Sequence, residues 1–593
     1  MKKSIPILIS TLLLFTAGCS ARGLSDNTSD FRGGFPGGAG GPGGFPGGSQ
    51  TASEYTANTD ARNLLAGESI SDVTFADTMY LTLSDSSFTS SDISGVSVKL
   101  SDDLIVINTE KYEKNLKIVI SGTYKGAVAI KSGKTVTAIY LKNVNLTSTN
   151  TPVLEIKGDT TKAFVVLEGS SSFTDGRNYG TNYSENGSDS KGSFYSKGAL
   201  IFSGDGSLNI TENYKHAIYS KDYIRVNSGN LNITSSGRNG IQAVNAFIME
   251  DGNISVKETG TNTNNESRGI IVEGSEKHPG EGFIEIHGGN VNIDTYSKGI
   301  SAKWDFDDDA ETEDTSDDPF PYVKITGGTV NVKTHGTPQD ESCNTSTFID
   351  ADGESVTETT KLSPEGIEGK QAVYIAGGNL HLETTDDSIN ASRDGSAYIE
   401  ISGGNIYAYS SKNDAIDSNG NLTISGGTIT AFAPSAPECA FDCDNYTFKI
   451  TGGTIIGIGT GNYSDPSSDA AKQSTLVISG EYFAGGKTFS IKDADGNTAF
   501  SYALPSDILG TNENSNYVMI ISSPEIKTGT KYSVYEDSKE KLTDVETSES
   551  SYIYTKVSSS GFGPGNRGAR GAVPGDFPPD DDFVPVKRNR NRQ

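Results

Sequence analysis

The chain of 593 residues is poor in the residues on which most enzymes and cross-linked secreted domains rely. It has four cysteines, too few for a disulfide-built fold. One bridge among Cys343, Cys439 and Cys443 is the most the sequence allows, and its connectivity is not legible. The Cys439–Cys443 spacing lacks the further His or Cys that a zinc site needs. The five histidines, at 216, 278, 287, 335 and 381, stand in no nucleophile or zinc motif, and G-x-S-x-G is absent. Positive charge is short as well: 48 Lys and Arg face 76 Asp and Glu, a net charge of −28. That balance excludes nucleic acid as a partner, because phosphates need basic side chains. Apolar runs are short, and none reaches the roughly 20 residues of a membrane-spanning helix.

Glycine, by contrast, is plentiful, and it is periodic. The stretch ISGGNIYAYSSKNDAIDSNGNLTISGGTITAF at 401–432 has relatives in IHGGNVNIDTYSKGI at 286 and ITGGTVNVKTHG at 325. The unit is about 23 residues, and weaker copies at Gly122, Asn143, Gly169 and Gly480 extend it to about thirteen turns. Apolar residues alternate with period two, as in Ile399 and Ile401 or Ile406 and Ala408, which is strand periodicity. The expected fold is all-β, a right-handed parallel β-helix with about three strands per turn and roughly 12–13 turns. Neighbouring turns would stack about 4.8 Å apart.

Aligning the copies gives columns. Ile218, Ile241, Ile270, Ile300, Ile367, Ile389, Ile416 and Phe441 share one inward position, with small residues two places on. Two residues before the isoleucine the chain reads His216, Asn239, Arg268 and Lys298, then Glu365, Asp387, Asp414 and Cys439. One residue after it come Tyr219, Gln242, Ile271 and Ser301, then Glu368, Asn390, Asp417 and Asp442. Both columns therefore turn to acids and amides over 365–442, on what should be the outer side of the strand. Carboxylates stacked at strand spacing repel one another, and a hard cation taking six to eight oxygens would bridge them. The expected metal ligands are Glu365, Glu368, Asp387, Asn390, Asp414, Asp417 and Asp442, with Ca2+ as the ion. A solvated acidic stripe is the simpler alternative. The acidic insertion at 304–321 lacks EF-hand spacing, and Trp304 at its base is placed either to stack on a sugar or to plug the core.

The ends differ from the middle. MKKSIPILISTLLLFTAGC has the charged start, apolar stretch and small-residue site of a secretory signal over 1–18. Thr-Ala-Gly-Cys resembles a bacterial lipobox, which would lipidate Cys19, although Thr16 replaces the usual leucine. Residues 19–55 are a Gly/Pro-rich tether, 56–114 an N-terminal β cap, 115–485 the β-helix, 486–556 a C-terminal β cap and 557–593 a disordered tail ending in basic residues.

The lipobox-like start, the tether, the ISGGxIxI repeats and the segment SPEIKTGTKYSVYED together resemble a family of bacterial surface lipoproteins, the carbohydrate-binding domain-containing proteins. The resemblance covers roughly residues 60–555. It implies a right-handed parallel β-helix similar to pectate lyases, bound calcium, and binding of cellulose and acidic pectic polymers. The calcium site carries over onto Asp414 and Asp417 in NDAIDS, Asp387 and Asn390 in DDSINAS, Glu365 and Glu368 in PEGIEGK, and Asp442 in CAFDCD. Cys439 stands where an acid is expected.

The expected function is thus a calcium-containing, cell-surface binder of polysaccharide such as cellulose or polygalacturonate, anchored to the membrane through lipid on Cys19 and monomeric. The alternatives are a pectate-lyase-like enzyme, with Arg393, Lys370 or Lys412 as the base of a calcium-assisted β-elimination, and a non-enzymatic adhesin or structural rod. Binding rather than catalysis is the expectation, because the basic residues serve equally well to balance the carboxylates.

Overall fold

The computed structural model describes residues 62–547 and the strand Ile553–Lys556, apart from 159–161, 178, 180–190, 236, 260–266, 305–317, 339–344, 350–354, 360–361, 462, 468–471, 480 and 510–516. Cys19, the signal, the tether, Cys343, Gly480, most of the acidic insertion and the basic tail lie outside the described residues.

The described chain is all-β and coils as a parallel solenoid. Each full turn contributes three strands, as in Tyr223–Val226, Asn230–Ser235 and Asn239–Ala243. Each strand pairs in parallel with its counterpart one turn on: Tyr223 with Ala246, Asn230 with Asn253, Ile241 with Ile270. Three ladders result, called here the first, second and third sheets in the order the chain visits them. The third contains thirteen strands, from Ser97–Ser101 to Phe441–Asp442. The first two are continuous at the N-terminal end, where Thr137–Thr147 is a single strand that faces two in the next turn, Lys162–Glu168 and Ser170–Thr174.

The interior follows the alternation read from sequence. Every member of the isoleucine column from Ile218 to Phe441 is fully buried, and so are Ser220, Ala243, Val272, Ala302, Ala391, Ser418 and Cys443 two places later. The corner between the first and second sheets explains the Gly-Gly pair. Gly404 has φ +91°, which favours glycine, and a Cβ on Gly403 would lie 2.3 Å from the Ala376 carbonyl oxygen of the previous turn.

The parallel stack begins ahead of residue 115. Asp77–Asp85 already pairs in parallel with Leu116–Tyr124, and Leu104–Asn108 with Ala127–Ser132. Antiparallel partners, Ser87–Ser90 and Ser97–Ser101, cover this end, which answers the hazard of an open strand edge. The last parallel rung of the second sheet is Thr454–Gly459; Val518–Ser522 then pairs with it antiparallel. A four-stranded antiparallel sheet, containing Thr488–Asp493 and Lys531–Glu536, completes the C-terminal part.

Two outer faces of the coil are covered, and each shows where alternation fails. In its early turns the first sheet reads as continuous apolar runs (AFVVL, ALIF, AFIM), because the outer residues Phe164, Ile201 and Ile248 are as buried as the inner ones; in later turns the same outward position holds Glu285, Lys324, Tyr374 and Glu400. The segment after Arg62 lies across it. The Leu64 carbonyl accepts from the fully buried Arg225, Glu68 pairs with Lys162 and accepts from Tyr223, and Arg62 pairs with Asp222. The second sheet loses alternation only in its last turns, where Phe432, Ile456 and Ile458 face out and pack with Phe489, Ile491 and Phe500 of the C-terminal sheet.

Candidate functional site

The register of the third sheet places the two acid-and-amide columns side by side. Ser301 pairs with Glu368, Glu368 with Asn390, Asn390 with Asp417, and Asp417 with Asp442. The other column is tied by backbone bonds at the preceding corner: Gly299 donates to the Glu365 carbonyl, Gly366 to Asp387, Ser388 to Asp414 and Ala415 to Cys439. Seven residues distant in sequence are thus brought onto four consecutive turns.

Their environment differs from a solvated stripe. Glu365, Glu368, Asp387, Asn390 and Asp414 are all buried, with Asp414 the most open at 8%, while Asp417 and Asp442 are half-buried. Burial of a carboxylate favours its neutral form unless a cation or donors compensate.

Compensation is uneven along the stack. At its start the buried Lys298 ammonium lies 2.7 Å from Glu365 Oε2 and 2.9 Å from Glu368 Oε2. Glu368 also accepts from Ser301 Oγ at 2.7 Å and from Ser392 Oγ at 2.9 Å. Against the cost of burial, Lys298 and the Ser301 hydroxyl hold Glu368 below the usual carboxylate range. Glu365 is pushed upward by desolvation, with Glu368 and Asp386 opposing its charge. Sequence reasoning had Lys298 in the column but not as the partner of these two acids. Side-chain length was the available signal, since a lysine one rung away from glutamates reaches both.

Beyond that rung the cations stop. Among the described residues, Asp387, Asp414, Asp417 and Asp442 have no Lys or Arg ion-pair partner within 4.0 Å. Asp387 accepts from the Asp414 amide at 3.0 Å and from Asn390 Nδ2 at 3.1 Å, and Asp414 accepts from the Cys439 amide at 2.6 Å. Burial, then the charges of Asp417 and Asp386, drives Asp387 well above its ordinary value. Burial raises Asp414 to about 7, despite the Cys439 amide. Burial, then Asp414 and Asp442, raises Asp417 to about 8. Asn390 gives both amide protons to Glu365 and Asp387, and its buried Oδ1 has no donor. Asp386 and Glu438, each one residue before the column, add further acid that the column alignment passed over; Asp386 accepts from Asn413 Nδ2 at 2.7 Å.

The donor set fits a hard cation. Asp387, Asn390, Asp414, Asp417 and Asp442 offer oxygen only, on adjacent rungs, and the orphaned Asn390 Oδ1 is the type of group a cation satisfies. One ligand atom each from Asp414, Cys439 and Asp442 also lie within 4.8 Å of one another. The thiol does not suit calcium. Burial first, then Asp414 and Asp442, pushes it well above the ordinary thiol value, and Sγ donates to the Phe441 carbonyl at 3.2 Å. Cys439 and Cys443 are both free, lying on opposite sides of the short strand Phe441–Asp442, so the bridge the sequence allowed between them is not made.

The basic candidates are dispersed. Arg393 Nη1 donates to Gln371 Oε1 at 2.6 Å, Lys412 is exposed and lies 3.4 Å from Thr337 Oγ1, and Lys370 is half-buried, its amide bound to the Ala302 carbonyl. Trp304 is half-buried, and its Nε1 has no hydrogen-bond partner among the described residues.

Comparison with known proteins bears on these features. No curated protein matches the chain. A solved structure of a polysaccharide lyase-like protein from C. thermocellum, a gadolinium derivative, is similar over 44% of this chain and 92% of its own, at 19% identity and a TM-score of 0.36. The model of one family matches residues 114–415, just over half of the chain and most of the solenoid. The protein therefore belongs to the carbohydrate-binding domain-containing family.

Proposed function

We propose that the protein is a calcium-containing receptor for polysaccharide, displayed on the cell surface by lipid on Cys19 and the Gly/Pro-rich tether. In this reading the solenoid is a right-handed β-helix, as parallel crossovers generally are. Calcium is held by Asp387, Asn390, Asp414, Asp417 and Asp442. When bound it supplies positive charge on an otherwise acidic face, which suits the carboxylates of a pectic polymer such as polygalacturonate. Lys298 keeps Glu365 and Glu368 neutralised at the neighbouring rung and so fixes where the cation stretch begins.

The observation that carries the reading is the run of buried and half-buried carboxylates to which the described residues offer no cationic ion-pair partner, beside a buried amide oxygen that lacks a donor, starting within the segment matched by the carbohydrate-binding family. Titration calorimetry of polygalacturonate into the protein tests it, with calcium and with EDTA. Binding is expected in calcium and lost both on chelation and in the Asp414→Asn/Asp417→Asn variant. Binding that survives chelation and the double substitution would overturn the role of calcium.

A further inference from the structure

We infer that the outer face of the second sheet is a docking surface for an uncharged, extended polysaccharide chain. This rests on the carbohydrate-binding reading above and assigns to it a face distinct from the acidic columns of the third sheet.

Strands of this sheet bury every second residue, so Asn230, Asn232 and Thr234, for example, point outward while Leu231 and Ile233 point in. In register, the leading outward column reads Asn230, Asn253, Asn290, Thr329, Asn379 and Asn405. The middle column reads Asn209, Asn232, Ser255, Asn292 and Asn331, and ends in His381 and Tyr407. Neither column has an Asp, Glu, Lys or Arg over these rungs, in a chain where 21% of residues are charged. Charge is confined to the trailing edge, at Lys257, Asp294, Lys333 and Glu383.

The amides are held in line. Asn253 donates to Asn230 at 2.7 Å, Asn290 to Asn253 at 2.8 Å, Asn232 to Asn209 at 3.0 Å and Asn331 to Asn292 at 2.8 Å. A side-chain amide has two N–H donors and an oxygen with two lone pairs, so one bond up and one down the ladder leave a donor and an acceptor over. Stacking alone accounts for the ladder bonds. Both columns of this exposed face are also free of charge, so an uncharged chain of hydroxyls docks there without desolvating an ion. The repeat offers the same donor and acceptor every 4.8 Å or so, which suits a ligand that is itself a repeating polyol.

The end of the run adds an aromatic platform, with His381 Nε2 lying 3.1 Å from Glu383 Oε1. The exposed His381 ring stacks on Tyr407 with centroids 4.6 Å apart and planes 7° apart, and an aromatic face is where a sugar ring packs its C–H surface. Tyr407 and Tyr409 then pack against the C-terminal sheet, which covers the following turns and closes the surface on that side.

Native affinity electrophoresis in gels with and without hydroxyethylcellulose, an uncharged β-glucan, tests the assignment, because the substitutions Asn232→Ala/Asn292→Ala/Asn331→Ala and His381→Ala leave protein charge nearly unchanged. Retardation of the native chain is expected, weakened at least tenfold in each variant, with polygalacturonate binding and thermal midpoint retained. Equal retardation of native chain and both variants would overturn the inference, as would a native chain that binds polygalacturonate but not the glucan, which leaves the proposed function standing. A chain that binds neither polymer overturns both.

Discussion

Lys298 is the residue whose loss should be felt most in the acidic stack, because it is the buried partner of two buried glutamates. Removing one member of a buried ion pair leaves the other charge uncompensated, at about 3–5 kcal/mol. Lys298→Met should lower the unfolding free energy by that order in chemical denaturation. Lys298→Met/Glu365→Gln/Glu368→Gln should recover most of it, and no recovery would mean that Lys298 acts by packing alone. A second buried acid lies elsewhere. Asp175 accepts from the Asn213 amide at 2.7 Å and from Tyr179 Oη at 2.5 Å, yet burial raises it to about 7, with Glu212 adding to the effect. The folded value lies above the roughly 3.9 of an unfolded aspartate, so its contribution to stability is full below about pH 4 and is lost as pH rises through about 7. Asp175→Asn should therefore flatten the decline of the thermal midpoint between pH 4 and 7. An unchanged slope would sink the assignment.

At the scale of the element, the corner glycines set the turn. Gly404 has φ +91°, and a Cβ there would meet the Gly377 carbonyl oxygen at 3.0 Å. Gly404→Ala should cost about 1–3 kcal/mol of backbone strain, whereas Gly67→Ala, with open space around it, should be close to neutral. Equal midpoints for the two variants would refute the geometric argument. These corners were legible in the sequence because the constraint is local: glycine, or asparagine at Asn143 (φ +53°), recurs at the corners where the backbone enters the left-handed region. The isoleucine column was legible for the same reason, since period two fixes the face. What the sequence hid was the third dimension. Asp387 and Asp414 looked exterior by alternation, and nothing in a linear string says that an outer column is buried. The covering of the first sheet was likewise invisible in any single strand, although the unbroken apolar runs ALIF and AFIM were its trace.

Across the whole molecule, covering and openness divide the coil's surface by chemistry. The first sheet's outer face is apolar in its early turns, where the segment after Arg62 closes it, and carries Glu285, Lys324, Glu400 and Lys449 further on; the third sheet's bears the acidic columns over 365–442; the second sheet's has two uncharged columns and is open until the C-terminal sheet takes it over. The last turns changed their outward residues to match, with Phe432 and Ile458 at positions that hold Thr211 and Thr234 earlier in the same column. A chain that stops at residue 461 would therefore present Phe432, Ile456 and Ile458 together with a free strand edge on Thr454–Gly459, whose antiparallel partner is gone. Exposed apolar surface beside a free strand edge is a template for association between chains. Such a truncation should elute from a sizing column as oligomers or aggregate, in contrast to the full chain, and Phe432→Ser/Ile456→Thr/Ile458→Thr in the truncated chain should reverse this by restoring the polar outward pattern of the earlier turns. A monomeric truncated chain with its native residues would show that the C-terminal sheet is not what protects this end of the coil.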